Sequence, residues 1–190
     1  MKWQIVCTGI GGRGVLLASA LLIETAEAAG YHAMGSDELG MSQRGGSVIS
    51  MITIGDFKSP FVGRENADIL LSFEESEFYR NLVFLKRDGI AVVNTARHTL
   101  PDTVRGLLDA RGTRCFFIDA DAMSWKRKMP QASNMAMLGF FSGLNVGPYS
   151  FDALTEALRR KVPQKVLTTN LEVIGDGRKE AEAQLQGVTR

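Results

Sequence analysis

The sequence predicts an α/β fold, a three-layer α/β/α Rossmann-like domain with a mostly parallel, mixed sheet. Short segments of almost continuous apolar character alternate with segments of helical periodicity, as expected for strands buried on both faces of a parallel sheet. The pair Gly55-Asp56 between two β-prone segments predicts an antiparallel hairpin. The C-terminal third shows only helical patterns, so the chain is expected to end as a group of helices.

Four apolar segments are predicted as the parallel strands, and they cover 3–8, 69–73, 89–94 and 115–119. Each is bounded by a turn signal or by a helical pattern. A brief additional strand is expected around 31–34. The two arms of the hairpin are predicted at 48–54 and 57–62, which makes the sheet mixed.

The first predicted helix covers 14–29, where apolar residues recur at spacings of three and four, and Gly30 supplies its C-terminal stop. A second helix is predicted after Glu74. Further helices are predicted at 101–110, 134–144 and 151–162, and in a run from 167 to 174. Gly175-Asp176-Gly177 is expected to interrupt the last of them. The polar tail 178–190 is expected to fray or to dock on a neighbour.

The composition fits one domain over residues 1–190. Apolar residues make up 45% of the chain and charged residues 23%, which allows a sizeable core. A formal net charge of +1 argues against nucleic acid as the partner. The first residues enter a strand pattern without a signal-peptide architecture, and no stretch is long and apolar enough to span a bilayer. A cytoplasmic protein is therefore expected.

Cysteine and histidine are scarce, and their positions do not predict a metal site. Cys7 and Cys115 lie in apolar strand patterns and are expected to be unreactive core thiols in a reducing compartment. His32 and His98 stand far apart, with no Cys or His at ligand spacing. The sequence also has no C-x-x-C run for an iron–sulfur cluster. No metal ligand and no catalytic residue are predicted.

The first glycine loop, residues 9–14, has the spacing that turns a strand sharply into a helix. Backbone N–H groups then face an anion at the helix N-terminus, and Arg13 adds a cation beside it. Alternatively, the glycines only allow close packing of strand and helix. A dinucleotide site further requires an acidic residue that ends the second strand, and Asp37 and Glu38 fit better as the opening of the next loop.

The second glycine loop, residues 35–47, contains many residue types that are frequent in binding sites. Arg44 offers a planar fork for carboxylate or phosphate, and Gln43 and Ser47 donate and accept hydrogen bonds. Gly45 and Gly46 let the backbone come close to a ligand. Because loops that follow neighbouring strands converge on one crevice, the two glycine loops are expected to share a site. Alternatively, the second is a surface loop whose glycines serve only the hairpin.

Taken together, 9–15 (Gly-Ile-Gly-Gly-Arg-Gly-Val) and 40–48 (Gly-Met-Ser-Gln-Arg-Gly-Gly-Ser-Val) resemble the gamma domain of the 2-oxoacid:ferredoxin oxidoreductases. Residues 133–139 and the segment from 162 to 171 resemble the same family, so the similarity spans nearly the whole chain. The Met-Ser-Gln-Arg-Gly-Gly block is its most specific part. Within the family, this block is most similar to the small (beta) subunit of indolepyruvate oxidoreductase.

The resemblance implies a subunit that is inactive alone and belongs to a complex with alpha- and beta-type subunits. The complex would oxidatively decarboxylate a 2-oxoacid, such as indolepyruvate or another aryl pyruvate, to acyl-CoA and pass the electrons to ferredoxin. Thiamine diphosphate and the iron–sulfur clusters would be bound by the partner subunits, and coenzyme A at the subunit interface. A Rossmann-type dinucleotide enzyme and a nucleotide-binding module remain the alternatives that the first loop allows.

The resemblance also implies which residues form the site. From the two loops and the helix that closes the site these are Gly9, Gly11, Gly12, Arg13, Gly14, Met41, Gln43, Arg44, Gly45, Gly46, Ser47 and Asn134. For Asn134, a simple N-cap is an equally good interpretation. The basic stretch 125–130 departs from the family pattern, and we expect a solvated loop there.

Overall fold

One mixed sheet of six strands forms the centre of the computed structural model, which describes residues 2–40 and 45–188. The strands are β1 (Trp3–Ile10), β2 (Ala33–Leu39), β3 (Ser47–Ile54), β4 (Ala67–Ser72), β5 (Leu85–Asn94) and β6 (Arg114–Ile118). Their order is β2-β3-β1-β4-β5-β6. The strands β1, β4, β5 and β6 run parallel, whereas β3 is antiparallel to both of its neighbours. The predicted mixed sheet is confirmed.

Seven α-helices lie in the described residues, together with two short 3-10 turns. They are α1 (Val15–Ala28), α2 (Glu75–Asn81), α3 (Asp102–Ala110), α4 (Ala120–Lys126), α5 (Ser133–Gly143), α6 (Phe151–Lys161) and α7 (Gln164–Val188). The last three confirm the helical C-terminal third. In this described part of the chain, no helix is long and apolar enough to cross a membrane.

Alternate residues of β1 face two different cores, as the period of two in a strand requires. Ile5 and Cys7 point into the larger core, which contains α1, α5, α6 and α7. Val6 points into the smaller core on the opposite face, with Phe78 of α2 and Leu108 of α3. Helices therefore cover both faces of the sheet, and the predicted three-layer architecture is confirmed.

The predicted hairpin is wrong in its second arm. The segment 57–62 forms no strand, and the partners of β3 are β1 and β2. The strand β2 extends to Leu39 instead of ending near residue 34, and it pairs along the length of β3. Because both edges of β3 are occupied, no edge is left for the segment after Gly55. Asp37 and Glu38 consequently lie within β2 and do not open the loop.

The predicted interruption of the last helix is also wrong, because α7 continues through Gly177 and through the polar tail to residue 188. A Cβ atom on Gly177 would lie 2.1 Å from the carbonyl oxygen of Ala136 in α5. On the facing helix, a Cβ on Gly139 would lie 1.9 Å from the carbonyl oxygen of Ile174. These glycines allow two helix backbones to touch, and they do not break the helix.

The basic stretch 125–130 is less loop-like than expected. The helix α4 extends to Lys126, and the Trp125 side chain is 67% exposed. Arg127 donates hydrogen bonds to both carboxylate oxygens of Asp176, at 2.8 and 3.0 Å, and pairs with Glu172 at 3.2 Å. Apart from the buried Met129, the stretch is exposed as predicted, but it is tied to α7 by these ion pairs.

Candidate functional site

The two glycine loops meet at the edge of the sheet where β1 and β2 end. The N–H of Gly11 donates to the carbonyl of Gly46 at 2.8 Å, and the N–H of Gly45 lies 3.4 Å from the carbonyl of Gly11. At the base of the second loop, the N–H of Gly40 donates to the carbonyl of Ser47 at 2.8 Å. The expected convergence is confirmed, and we call residues 9–14 and 40–47 the paired glycine loops.

Three predicted site residues, Met41, Gln43 and Arg44, lie outside the described residues. Their assignment stays a prediction. The described end of the same loop, residues 45–47, is anchored through the hydroxyl of Ser47, which donates to the Glu77 carboxylate at 2.6 Å. Because β3 begins at Ser47, this hydrogen bond lies at the point where the loop ends and the strand begins.

Asn134 connects the helix α5 to the start of α1. The residue stands in the first turn of α5, where Ala132 occupies the N-cap position, so the N-cap interpretation is wrong. Its Nδ2 donates to the carbonyl of Gly14 at 3.2 Å. Gly14 has φ +72°, and a Cβ there would lie 2.4 Å from that same nitrogen. Glycine is therefore required at this position both by backbone conformation and by contact.

The Arg13 side chain is held by two carboxylates. Its guanidinium donates to Asp121 at 2.7 Å and to Glu74 at 2.8 Å. The Arg13 side chain is 30% exposed, so the cluster is partly shielded from water. Two N–H groups of the loop are also used within the protein, that of Gly11 by Gly46 and that of Arg13 by Ile10. These contacts weaken the interpretation of the first loop as a phosphate cradle.

Sequence reasoning did not single out Glu74 and Asn94, two of the side chains that complete this cluster. Asn94, the last residue of β5, donates to the second oxygen of Asp121 at 3.3 Å and accepts from the N–H of Ala120 at 2.9 Å. Glu74 and Asp121 follow β4 and β6 just after their strands end. All of them therefore lie at the edge where carboxyl ends of parallel strands meet, and this rule could have identified them. Asp119, which also follows β6, is the N-cap of α4 and accepts from the N–H of Ala122 at 2.8 Å.

A cavity of about 660 Å³ opens between the paired glycine loops and α1, a volume in the range of ligand sites. Its walls combine glycine backbone with aliphatic side chains: Ile10, Gly11, Gly12, Gly14, Val15, Leu16, Leu39, Gly40 and Val48. The side chains of Leu39 and Leu16 are 63% and 41% exposed. Exposed aliphatic side chains at the mouth of a cavity are typical of a surface that another molecule covers.

The two cysteines are not nucleophiles in this structure. Cys7 is fully buried, and its burial raises the pKa of the thiol far above the ordinary value. Burial likewise raises the pKa of Cys115 to about 12. Both thiols are therefore protonated at neutral pH. Cys115 lies on β6 at the sheet edge and is less buried than expected. Residues 2–40 and 45–188 contain no cluster of three His, Cys, Asp or Glu that could hold a metal ion.

Comparisons with known proteins identify the family of the chain. The family model described as pyruvate ferredoxin/flavodoxin oxidoreductase matches residues 4–180. The chain belongs to this family. The indolepyruvate oxidoreductase subunit IorB of Thermococcus kodakarensis is 30% identical over 198 residues, covering 97% of this chain and 98% of that protein. The chain is thus a gamma/IorB-type subunit of the 2-oxoacid:ferredoxin oxidoreductases.

Solved structures share the fold. The gamma subunit of a keto/oxoacid ferredoxin oxidoreductase from Geobacter sulfurreducens superposes with a TM-score of 0.76 at 22% identity, covering 95% of this chain and 99% of that chain. The 2-oxoglutarate:ferredoxin oxidoreductase of Magnetococcus marinus gives a TM-score of 0.79 at 21% identity. This chain matches 31% of that longer chain, with 96% of its own residues covered. The same fold therefore occurs both as a separate chain and as part of a larger one.

Proposed function

We propose that this subunit takes part in the oxidative decarboxylation of an aryl pyruvate, such as indolepyruvate, to an acyl-CoA, with electrons passed to ferredoxin. The observation that carries the proposal is the pairing of the two glycine loops, since the most family-specific residues stand in the second loop. The 30% identity to an indolepyruvate oxidoreductase subunit supports the choice of substrate class. The protein acts in the cytoplasm in this proposal.

In the proposed complex, alpha- and beta-type partner subunits bind thiamine diphosphate and the iron–sulfur clusters. The residues of this chain do not fit a cluster, because a cluster commonly takes four cysteine ligands and the chain has two cysteines. Both of these lie in strands of the sheet, Cys7 in β1 and Cys115 in β6. The electrons therefore leave the substrate through another subunit.

The paired glycine loops are proposed to form one wall of the site for coenzyme A at the subunit interface. The wall comprises Gly9, Gly11, Gly12, Gly14, Gly45, Gly46 and Ser47, with Arg13 and Asn134 behind it and Met41, Gln43 and Arg44 completing the second loop. Support comes from the cavity between the loops and from its exposed leucines. Arg13 contributes as the ion pair that fixes the first loop, because its guanidinium is already shared by Glu74 and Asp121.

Reconstitution tests the proposed activity. The purified chain is assayed alone and then together with its alpha- and beta-type partner subunits, with 2-oxoacid, coenzyme A and ferredoxin present. We expect no turnover by the chain alone, and coenzyme A-dependent ferredoxin reduction by the complex with indolepyruvate or phenylpyruvate. Turnover by the isolated chain would contradict the subunit role. A clear preference of the complex for pyruvate or 2-oxoglutarate would contradict the proposed substrate class.

The variant Arg44→Ala tests the proposed role of the second loop. Removal of a guanidinium that binds an anionic group of the acceptor should raise the KM of the assembled enzyme for coenzyme A by about tenfold or more. Folding of the subunit, followed by its thermal unfolding midpoint, should change little. If the variant failed to fold or to assemble, Arg44 would be structural and its assignment to the acceptor site wrong.

A further inference from the structure

Glu77 is a buried carboxylate on α2 with an exposed fraction of only 2%. A carboxylate is rarely so buried unless other groups satisfy it. One partner is Arg80, which lies 3.1 Å from Oε1 and is itself 71% exposed. Such an exposed partner offsets little of the cost of burial. Most of the cost of burying Glu77 must therefore be offset by its other contacts.

The other oxygen of Glu77 faces the second of the paired glycine loops. The hydroxyl of Ser47 donates to Oε2 at 2.6 Å, which is a short, charge-assisted hydrogen bond. Among the described residues of that loop, 40 and 45–47, only Ser47 has a side chain larger than hydrogen. Ser47 is therefore the one side-chain anchor in the described part of the loop.

The same group of side chains reaches the first loop through Asn81. The Nδ2 of Asn81 donates to the hydroxyl of Thr8 at 2.7 Å and lies 3.4 Å from Oε2 of Glu77. Thr8 directly precedes Gly9, and both Thr8 and Asn81 are buried. The network thus extends from the end of β1, through α2, to the start of β3.

The backbone contacts between the loops lie next to the pairing of Ser47 with Ile10 in the β1–β3 ladder, and a side-chain anchor at Ser47 adds to that pairing. They involve Gly11, Gly45 and Gly46, and glycine loses more conformational entropy on being ordered than any other residue. Gly45 is exposed as well. Hydrogen bonds among such residues open easily unless a neighbouring group fixes one end of the segment.

We propose that Glu77 is a positioning residue for the second glycine loop: through its hydrogen bond to Ser47, it holds residues 45–47 against Gly11 of the first loop. Glu77 does not touch the acyl acceptor in this arrangement. Its influence on the reaction rests on the proposed function of the loops, whereas its influence on the loop itself does not.

Amide hydrogen exchange on the full-length chain tests the effect on the loop. The amide of Gly11 reports on the loop because it donates to Gly46. We expect Glu77→Ala and Ser47→Ala each to raise its exchange rate by about tenfold or more. The amide of Leu71, in the central strand β4, should keep its protection in both variants.

Two further variants separate the Ser47 contact from the charge of Glu77. Arg80→Ala removes the exposed ion pair but leaves the Ser47 contact, so the exchange of Gly11 should remain within about twofold of the original. Glu77→Gln retains an acceptor oxygen for Ser47 and should restore most of the protection. If Glu77→Ala fails to fold, Ser47→Ala carries the test from the other side of the same bond.

Kinetics of the assembled enzyme supply the functional readout. We expect Glu77→Ala to raise the KM for coenzyme A more than it lowers kcat, with recovery in Glu77→Gln. Exchange of Gly11 that stays within twofold in folded Ser47→Ala, or that rises only together with Leu71, would overturn the inference. Faster exchange at Gly11 with an unchanged KM would support the positioning role and would instead contradict the proposed acceptor wall.

Discussion

At the scale of single residues, Arg13 shows how partners decide the role of a charged side chain. In the sequence it stands in a glycine loop at a helix N-terminus, where a cation would assist anion binding. In the structure its two nitrogen groups are shared by Glu74 and Asp121. Three chain segments thereby meet at one guanidinium. Arg13 therefore stabilises the first glycine loop.

We predict that Arg13→Ala lowers the free energy of unfolding by about 1–3 kcal/mol, since two partly buried carboxylates would lose their common partner. Urea unfolding measures the change. The control is Arg160→Ala on α6, whose side chain is 53% exposed and whose ion pairs with Glu24 and Glu156 are 3.6 and 3.5 Å long. Arg160→Ala should lower the free energy of unfolding by less than about 0.5 kcal/mol. Equal effects of the two variants would contradict a special role of the Arg13 cluster.

A second prediction at this scale concerns the reactivity of Cys115. With a pKa of about 12, the thiol has a thiolate fraction on the order of 10⁻⁴ at pH 8. A raised pKa means that the thiolate forms only as the pH rises far above that of a free cysteine. In Cys7→Ala protein, alkylation by iodoacetamide should therefore accelerate about tenfold per pH unit from 7 to 9. A rate that levels off near pH 8.5 would contradict the effect of burial.

At the scale of secondary-structure elements, α5 and α7 depend on small residues where they cross. The backbone of each helix reaches the other at Gly139 and Gly177. A glycine in a helix costs about 1 kcal/mol relative to alanine, and here the close contact of two buried helices offsets that cost. The same contact explains why Gly177, predicted to interrupt α7, lies within the continuous helix.

We predict that Gly139→Ala destabilises the protein by more than about 3 kcal/mol, because its Cβ would lie 1.9 Å from a backbone oxygen of α7 and the helices must separate. The matched control is Gly175→Ala in α7, where no atom lies within 4 Å of the added Cβ. Its free energy of unfolding should rise by about 0.5–1 kcal/mol, because alanine has the higher helix propensity. Thermal or urea unfolding measures both, and a destabilised Gly175→Ala would contradict this account.

At the scale of the whole molecule, the site lies on a surface and not within a closed pocket. The cavity between the paired glycine loops and α1 has exposed leucines at its mouth. A subunit whose site is completed by a partner is expected to present such an aliphatic rim. We therefore expect the rim to contribute to assembly as well as to ligand binding.

We predict that Leu39→Asp raises the dissociation constant for the alpha-type partner by about tenfold or more, because a carboxylate would be buried at the interface. Folding of the isolated chain should be unaffected, since this side chain is 63% exposed. The control is Leu107→Asp on α3, which is 49% exposed and does not line the cavity. Size-exclusion chromatography with titration of the partner measures both. If only Leu107→Asp weakened assembly, the interface would lie on the α3 side.

Much of the fold could be predicted because strand and helix patterns are local. Continuous apolar segments gave β1, β4, β5 and β6 to within a few residues, and Gly30, with φ +83°, ends α1 as expected. The hairpin failed for a non-local reason. Gly55-Asp56 does end β3, but whether the next segment pairs depends on which edges of β3 are already occupied.

By itself, the sequence determined the alternation of strands and helices and the positions of the two glycine loops, since these depend on neighbouring residues. The tertiary structure alone decided which groups meet at the site. Arg13 pairs with Asp121, 108 residues away, and Asn134 bonds Gly14 across 120 residues. The physical reason is that hydrogen bonds and ion pairs act over a few ångströms, and only folding brings such distant segments that close.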